Sequence, residues 1–132
     1  MRTVLKEDGL AVIEVPYLAD LVEQCEFDTI YHEHFQYWTV LAAQGAMRVG
    51  GLRIVDVELL ETHGGSIRLW AAAEDAGITP SPRVAEVIET ECAAGLDTVE
   101  GYMGLARETS RVRDDLVAYL IEARRSGRRV AG

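Results

Sequence analysis

Glu26, Phe27, Asp28, Thr29, Ile30, Tyr31, His32, Glu33, His34 and Phe35 put two imidazoles, three carboxylates and a phenol among apolar rings. Imidazole titrates near neutrality, and a neighbouring carboxylate can fix its tautomer and stabilise its conjugate acid. The segment is therefore a candidate general base, with Tyr31, Phe35, Tyr37 and Trp38 as apolar walls and a phenol able to donate to a developing oxyanion. Two other readings fit the same residues. His32 and His34 in a His-x-His spacing put two rings on one side of an extended segment, as some metal sites do. Such a site needs further ligands, and His63 is the only other histidine. Alternatively, these are polar turn residues satisfied by backbone groups. His63 itself precedes Gly64-Gly65 and reads as a hairpin-turn residue, though glycines there would let the backbone approach a ligand.

The elements that must hold this segment follow from hydrophobic patterning. Residues 10–15 are apolar except Glu14 and end at Pro16, which suits a strand buried on both faces, as in a parallel sheet. Glu14, near the strand's C-terminal end, either faces a ligand crevice or reaches water. Residues 17–24 fit a short helix or turn, and residues 35–47 a helix closed by Gly50-Gly51. Two alternating runs, 52–62 and 66–73, flank His63-Gly64-Gly65 and predict a β-hairpin. In the second run Ile67, Leu69 and Ala71 share one face, with Arg68 and Trp70 on the other. Ser81 and Pro82 mark a helix start, with Val84, Val87 and Ile88 on its apolar face. A long amphipathic helix is predicted from 97 to about 126, weakened at Gly101 and Gly104. In it Tyr102, Met103 and Tyr119 read as packing. Residues 129–132 read as the opening of another strand.

Composition narrows the function classes. A net charge of −9 argues against nucleic acid or an anionic membrane as partners, because neither is drawn to an acidic surface. Cys25 and Cys92 are far apart and lack a CxxC spacing, so a reducing, cytoplasmic setting is expected. No apolar run approaches the ~18 residues of a spanning helix. A glycine-rich strand-to-helix turn for a nucleotide is also missing from these 132 residues.

Three stretches in order carry a resemblance: Gly9 to Leu18 (GLAVIEVPYL), Glu26 to His34 (EFDTIYHEH) and Thr62 to Arg68 (THGGSIR). Together they resemble the S-adenosylmethionine-dependent sugar C-methyltransferases, which act on nucleotide-linked 4-keto-deoxysugars. The ending RRVAG at 128–132 is similar to the first strand of that family's C-terminal domain. The resemblance implies an α/β fold: a partial Rossmann-like methyltransferase sheet, made of the buried strand plus the hairpin, with its final strand antiparallel. A helical segment follows and leads into a truncated second α/β domain. Residues 1–75 would belong to the methyltransferase domain and 76–132 to the helical linker and start of the second domain. Zinc is expected only in a preceding N-terminal region. The implied mechanism is proton abstraction beside a ketone, followed by attack of the enolate carbon on the methylsulfonium. By motif position His34 is the base, Glu33 orients or assists, and Tyr31 stabilises the substrate or the enolate oxygen. His63 and Tyr37 are the substrate-binding candidates, and no metal ligand is assigned. With the glycine loop missing, the isolated chain is expected neither to bind S-adenosylmethionine well nor to turn over.

Overall fold

The computed structural model describes residues 2–131. Its centre is a three-stranded sheet of β1 (Leu10–Pro16), β2 (Leu52–Leu60) and β3 (Ser66–Ala73), in the order β1-β3-β2. Helices α1 (Leu18–Gln24), α2 (Val40–Val49), α3 (Pro82–Ala93) and α4 (Met103–Arg125) complete the mixed α/β fold. Both strand pairings are antiparallel. β1 and β2 therefore run the same way with β3 between them.

The predicted hairpin forms, and its faces divide as the alternation requires. Ile67, Leu69 and Ala71 are buried, while Arg68 and Trp70 are only partly covered. In β2 the register slips between Ile54 and Asp56, leaving Val55 as the extra residue of a bulge. Such an insertion breaks the two-residue period locally. That is how Ile54 and Val57, three positions apart, both enter the core. Simple alternation of Val55, Val57 and Leu59 does not describe this strand, and Leu59 is exposed.

β1 departs from the expectation of a strand buried on both faces in a parallel sheet. Ala11 is buried and Val15 packs against the core, but Leu10 and Val12 are 47% and 56% exposed. Apolar composition was read as two-sided burial, yet the helices that contact this sheet join one core. Val40 and Ala43 of α2 and Val84 and Val87 of α3 meet Ile54, Val57, Ile67 and Leu69 there. Arg68 occupies the other face. Its guanidinium lies 2.9 Å from Glu14 of β1 and 2.8 Å from Glu58 of β2, tying three strands by their side chains.

The remaining elements follow the patterning with shifted ends. α2 starts at Val40 rather than near Phe35, because the Thr39 side chain accepts from Ala42 N–H and caps it. The long helix is delayed to Met103 by a 3-10 turn, Glu100–Tyr102. There the Gly101 backbone lies so close to the Gly95 carbonyl that a side chain would not fit. Tyr102 packs as expected and donates to the Leu96 carbonyl at 2.6 Å, but Met103 and Tyr119 are exposed. Residues 128–131 form no strand, since no partner strand lies beside them, and residue 132 is outside the described residues. No described helix is long and apolar enough to cross a membrane.

Candidate active site

Between α1 and α2 the chain runs through residues 25–38, a loop that returns to the sheet where Trp38 bridges Tyr17 beyond the end of β1. Its first half is wound by a 3-10 turn, Phe27–Thr29. Ile30 then takes φ −81° and ψ 86°, the inverse γ-turn conformation, and the Tyr31 N–H reaches the Thr29 carbonyl at 3.1 Å. This bend gathers the motif. The Thr29 carbonyl accepts from Tyr37 Oη at 2.8 Å and lies 3.0 Å from His34 Nδ1. On the far side of the imidazole, Nε2 lies 3.2 Å from Tyr31 Oη, with the two rings 4.3 Å apart. Tyr31, His34 and Tyr37 are thus brought together.

Two members of the motif stand apart. The Glu33 carboxylate is 3.9 Å from His32 Nε2, and both side chains are mostly exposed. The group that orients His34 is therefore a backbone carbonyl, not the carboxylate beside it in sequence. The expected apolar walls are also open: Phe35 is 90% exposed and Tyr31 46%. A loop beyond the strand ends gains burial only from what is laid over it, and none of the described residues covers these rings.

His34 nonetheless lines a cleft of about 450 Å³ at the C-terminal end of β1. Glu14, Glu33 and Trp38 share that cleft, and His63 and Ser66 enter it from the hairpin. Tyr31 and Tyr37 are outside its lining. Glu14 lines the cleft with its side chain 44% exposed and pairs with Arg68, a partner that neither of its sequence readings named. His63 is both a turn residue and a cleft residue. It sits in the 3-10 turn Thr62–Gly64 at φ 55° and ψ 37°, a left-handed conformation uncommon for a residue with a Cβ. Ligand sites of α/β sheets lie at the C-terminal ends of strands, which is where this cleft opens. Among the described residues no group of three or more histidine, cysteine, aspartate or glutamate side chains could hold a metal ion.

Comparison with known proteins now bears on what the cleft does. Residues 61–132, more than half of the chain, match the family described as the C-methyltransferase C-terminal domain. The whole chain is 38% identical over 132 residues to the C-methyltransferase NovU of Streptomyces niveus. This chain belongs to the C-methyltransferase family. It spans 31% of the length of NovU. The family match begins in the turn between β2 and β3, so it takes in the sheet's central strand and not only the helices beyond it.

In this C-methyltransferase chain the loop is held from below by a residue that motif reading passed over. Glu91 of α3 is 1% exposed, and its carboxylate accepts from Val40 N–H at 2.6 Å and Leu41 N–H at 2.8 Å. These are the first amides of α2, which no turn of the helix can satisfy. The positive end of the helix dipole adds to the attraction. The Tyr17 hydroxyl also donates to Glu91, at 3.1 Å. Burial, and then the Glu91 charge, push the Tyr17 phenol well above its ordinary value. The sequence did carry a signal. Val84, Val87, Ile88 and Glu91 follow the i, i+3, i+4, i+7 spacing, so a carboxylate falls on an otherwise apolar stripe.

The hairpin turn is fitted against two further carboxylates. A Cβ on Gly64 would fall on the Glu26 carboxylate, and one on Gly65 would fall on Asp20. Desolvation, and then the charges of Glu23 and Glu26, raise the Asp20 carboxyl above its usual range. Residues without a side chain at 64 and 65 thus let the His63 turn lie close to α1 and to the start of the 25–38 loop.

Proposed function

We propose that this chain forms part of an enzyme that transfers a methyl group from S-adenosylmethionine to a ring carbon of a nucleotide-linked 4-keto-deoxysugar. The observation that supports this most is a juxtaposition within a C-methyltransferase chain. His34 and His63 come from separate elements yet line one cleft at the C-terminal end of β1. His34 takes the proton from the carbon next to the ketone, leaving an enolate whose carbon is nucleophilic. Tyr31 stabilises the enolate oxygen, Glu33 assists, and His63 is the substrate-side residue. S-adenosylmethionine supplies the electrophilic methyl when bound.

The residues present do not fit a site for that cofactor. The Gly50 and Gly51 amides close α2 by donating to the Ala46 and Arg48 carbonyls of its last turn, and Gly64 and Gly65 are packed against carboxylates. Neither pair offers free amides at a helix start, where a nucleotide would be cradled. On this reading the cofactor's cradle and the zinc region both belong to segments other than these 132 residues.

The test is His34→Asn in the intact methyltransferase that carries this chain. Methyl transfer should fall by roughly 10²–10⁴-fold, the usual contribution of a general base, with cofactor affinity nearly intact. Exchange of the sugar's acidic hydrogen with solvent, measured without methyl donor, should fall with it. Unchanged turnover would remove His34 from the mechanism.

A further inference from the structure

The imidazole of His34 has a partner at each ring nitrogen, and the partner at Nδ1 decides which of the two carries the hydrogen. The Thr29 carbonyl, 3.0 Å from Nδ1, can only accept. Nδ1 must therefore carry the hydrogen. Nε2 then holds a lone pair, to which the Tyr31 hydroxyl donates across 3.2 Å. The other neutral tautomer would set a lone pair on Nδ1 against the carbonyl oxygen. An unrestrained imidazole in water carries its hydrogen mainly on Nε2, so the loop holds His34 against the solution preference.

The carbonyl that does this is itself held. The Ile30 γ-turn bond, at 3.1 Å, ties the Thr29 carbonyl only to an amide two residues on in the same loop. Tyr37 supplies the stronger contact. Its hydroxyl donates to the same oxygen at 2.8 Å, and its ring stands edge-on to the imidazole at 6.0 Å and 81°. From this we infer that Tyr37 is a positioning residue: it anchors the Thr29 carbonyl and so locks His34 in the Nδ1–H tautomer, with Nε2 as its basic atom. The catalytic meaning of this lock rests on His34 being the base, whereas the tautomer itself does not. It also differs from a substrate-binding role, because Tyr37 is outside the cleft lining.

The experiment is a long-range proton–nitrogen correlation on the ¹⁵N-labelled 132-residue chain at about pH 8.5, above the ordinary imidazole range. His32, with its side chain 89% exposed, reports the water-like pattern within the same sample. His34 should show a protonated Nδ1 and a bare Nε2. In Tyr37→Phe its tautomer ratio should move toward that of His32 by about fivefold, as expected for one lost neutral hydrogen bond. Backbone amide shifts of the sheet check that the variant is folded. A wild-type His34 with the pattern of His32 would overturn the inference without any variant, and so would a Tyr37→Phe ratio equal to wild type. In the intact methyltransferase Tyr37→Phe should lower kcat and shift its pH profile while leaving KM for the sugar nearly unchanged. A raised KM at constant kcat would return Tyr37 to substrate binding. Failure of the underlying reading shows separately, as full turnover by His34→Asn beside an intact Nδ1–H signature.

Discussion

Replacing Glu91 by alanine removes one buried carboxylate and leaves three donors facing it. The Val40 and Leu41 amides lie 2.6 and 2.8 Å from its oxygens and the Tyr17 hydroxyl 3.1 Å. Bonds to a charged acceptor contribute about 1.5–3 kcal/mol each, but they do not add simply, because burying the carboxylate costs several kcal/mol in return. Removing one partner of a buried charged network costs about 3–5 kcal/mol. Against a total stability of about 5–15 kcal/mol this is a large share. For a domain of this size it corresponds to a Tm lowered by about 10–20 °C. Glutamine keeps one carbonyl acceptor but turns a donor toward another, so Glu91→Gln should cost about 1–2 kcal/mol. Urea unfolding followed by tryptophan fluorescence is the assay, since Trp38 adjoins the α2 cap. A loss below about 1 kcal/mol for Glu91→Ala, or an equal loss for Gln and Ala, would refute the assignment of Glu91 as the anchor of α2.

Two further outcomes follow from the same region. Gly65→Ala places a Cβ on Asp20 at φ 119°, a conformation that side chains rarely adopt, and should cost about 3 kcal/mol in thermal unfolding. Adding Asp20→Ala should recover the clash but not the backbone strain, so only part of the loss returns. Alkaline stability should fall because the folded Tyr17 phenol keeps its proton where the unfolded one loses it, above about pH 10. The folded state then binds more protons, so stability present below pH 10 is lost as pH rises, by up to about 1.4 kcal/mol per unit. Tyr17→Phe should flatten that slope in urea midpoints taken across it. Tyr102, raised in the same direction by burial and then by Glu91 and Asp97, keeps part of it.

The β2–β3 hairpin could be read in the sequence because its alternation is a local property and the His63-Gly64-Gly65 turn supplies positive φ where it is needed. The helices starting at Pro82 and near residue 40 could be read for a similar reason, from spacing and stop signals. β1 could not be read fully: a run such as Leu-Ala-Val-Ile states that the residues are apolar, not what lies on each side of them. The bulge at Val55 has no residue type that announces it. In the loop, His34 and Tyr31 stood out as polar side chains among apolar rings, with roles implied only by the resemblance, and His63 stood out as the turn residue it is. What orients His34 did not, because the decisive atom is the Thr29 carbonyl oxygen, and backbone groups leave no trace in the letters. Glu91 was visible as a carboxylate on an apolar stripe, but its partners are 50 and 51 residues away.

The order β1-β3-β2 explains why these distant pieces meet. Because β3 lies between two strands that run the same way, the turn entering it and the exit from β1 fall at one end of the sheet. The Tyr17 N–H bonds the Gly65 carbonyl at 3.1 Å, joining the exit of β1 directly to the His63 turn. Tyr17 then reaches Glu91 with its side chain and Trp38 with its backbone, so one residue ties the turn, the α2 cap and the end of the 25–38 loop together. The open, polar half of the loop can therefore be placed without being buried. Its end at Trp38 is fastened to well-packed elements, and its middle is fastened to its own Thr29 carbonyl. A loop built this way sets His34 in the lining of the cleft while leaving Phe35 and Tyr31 uncovered.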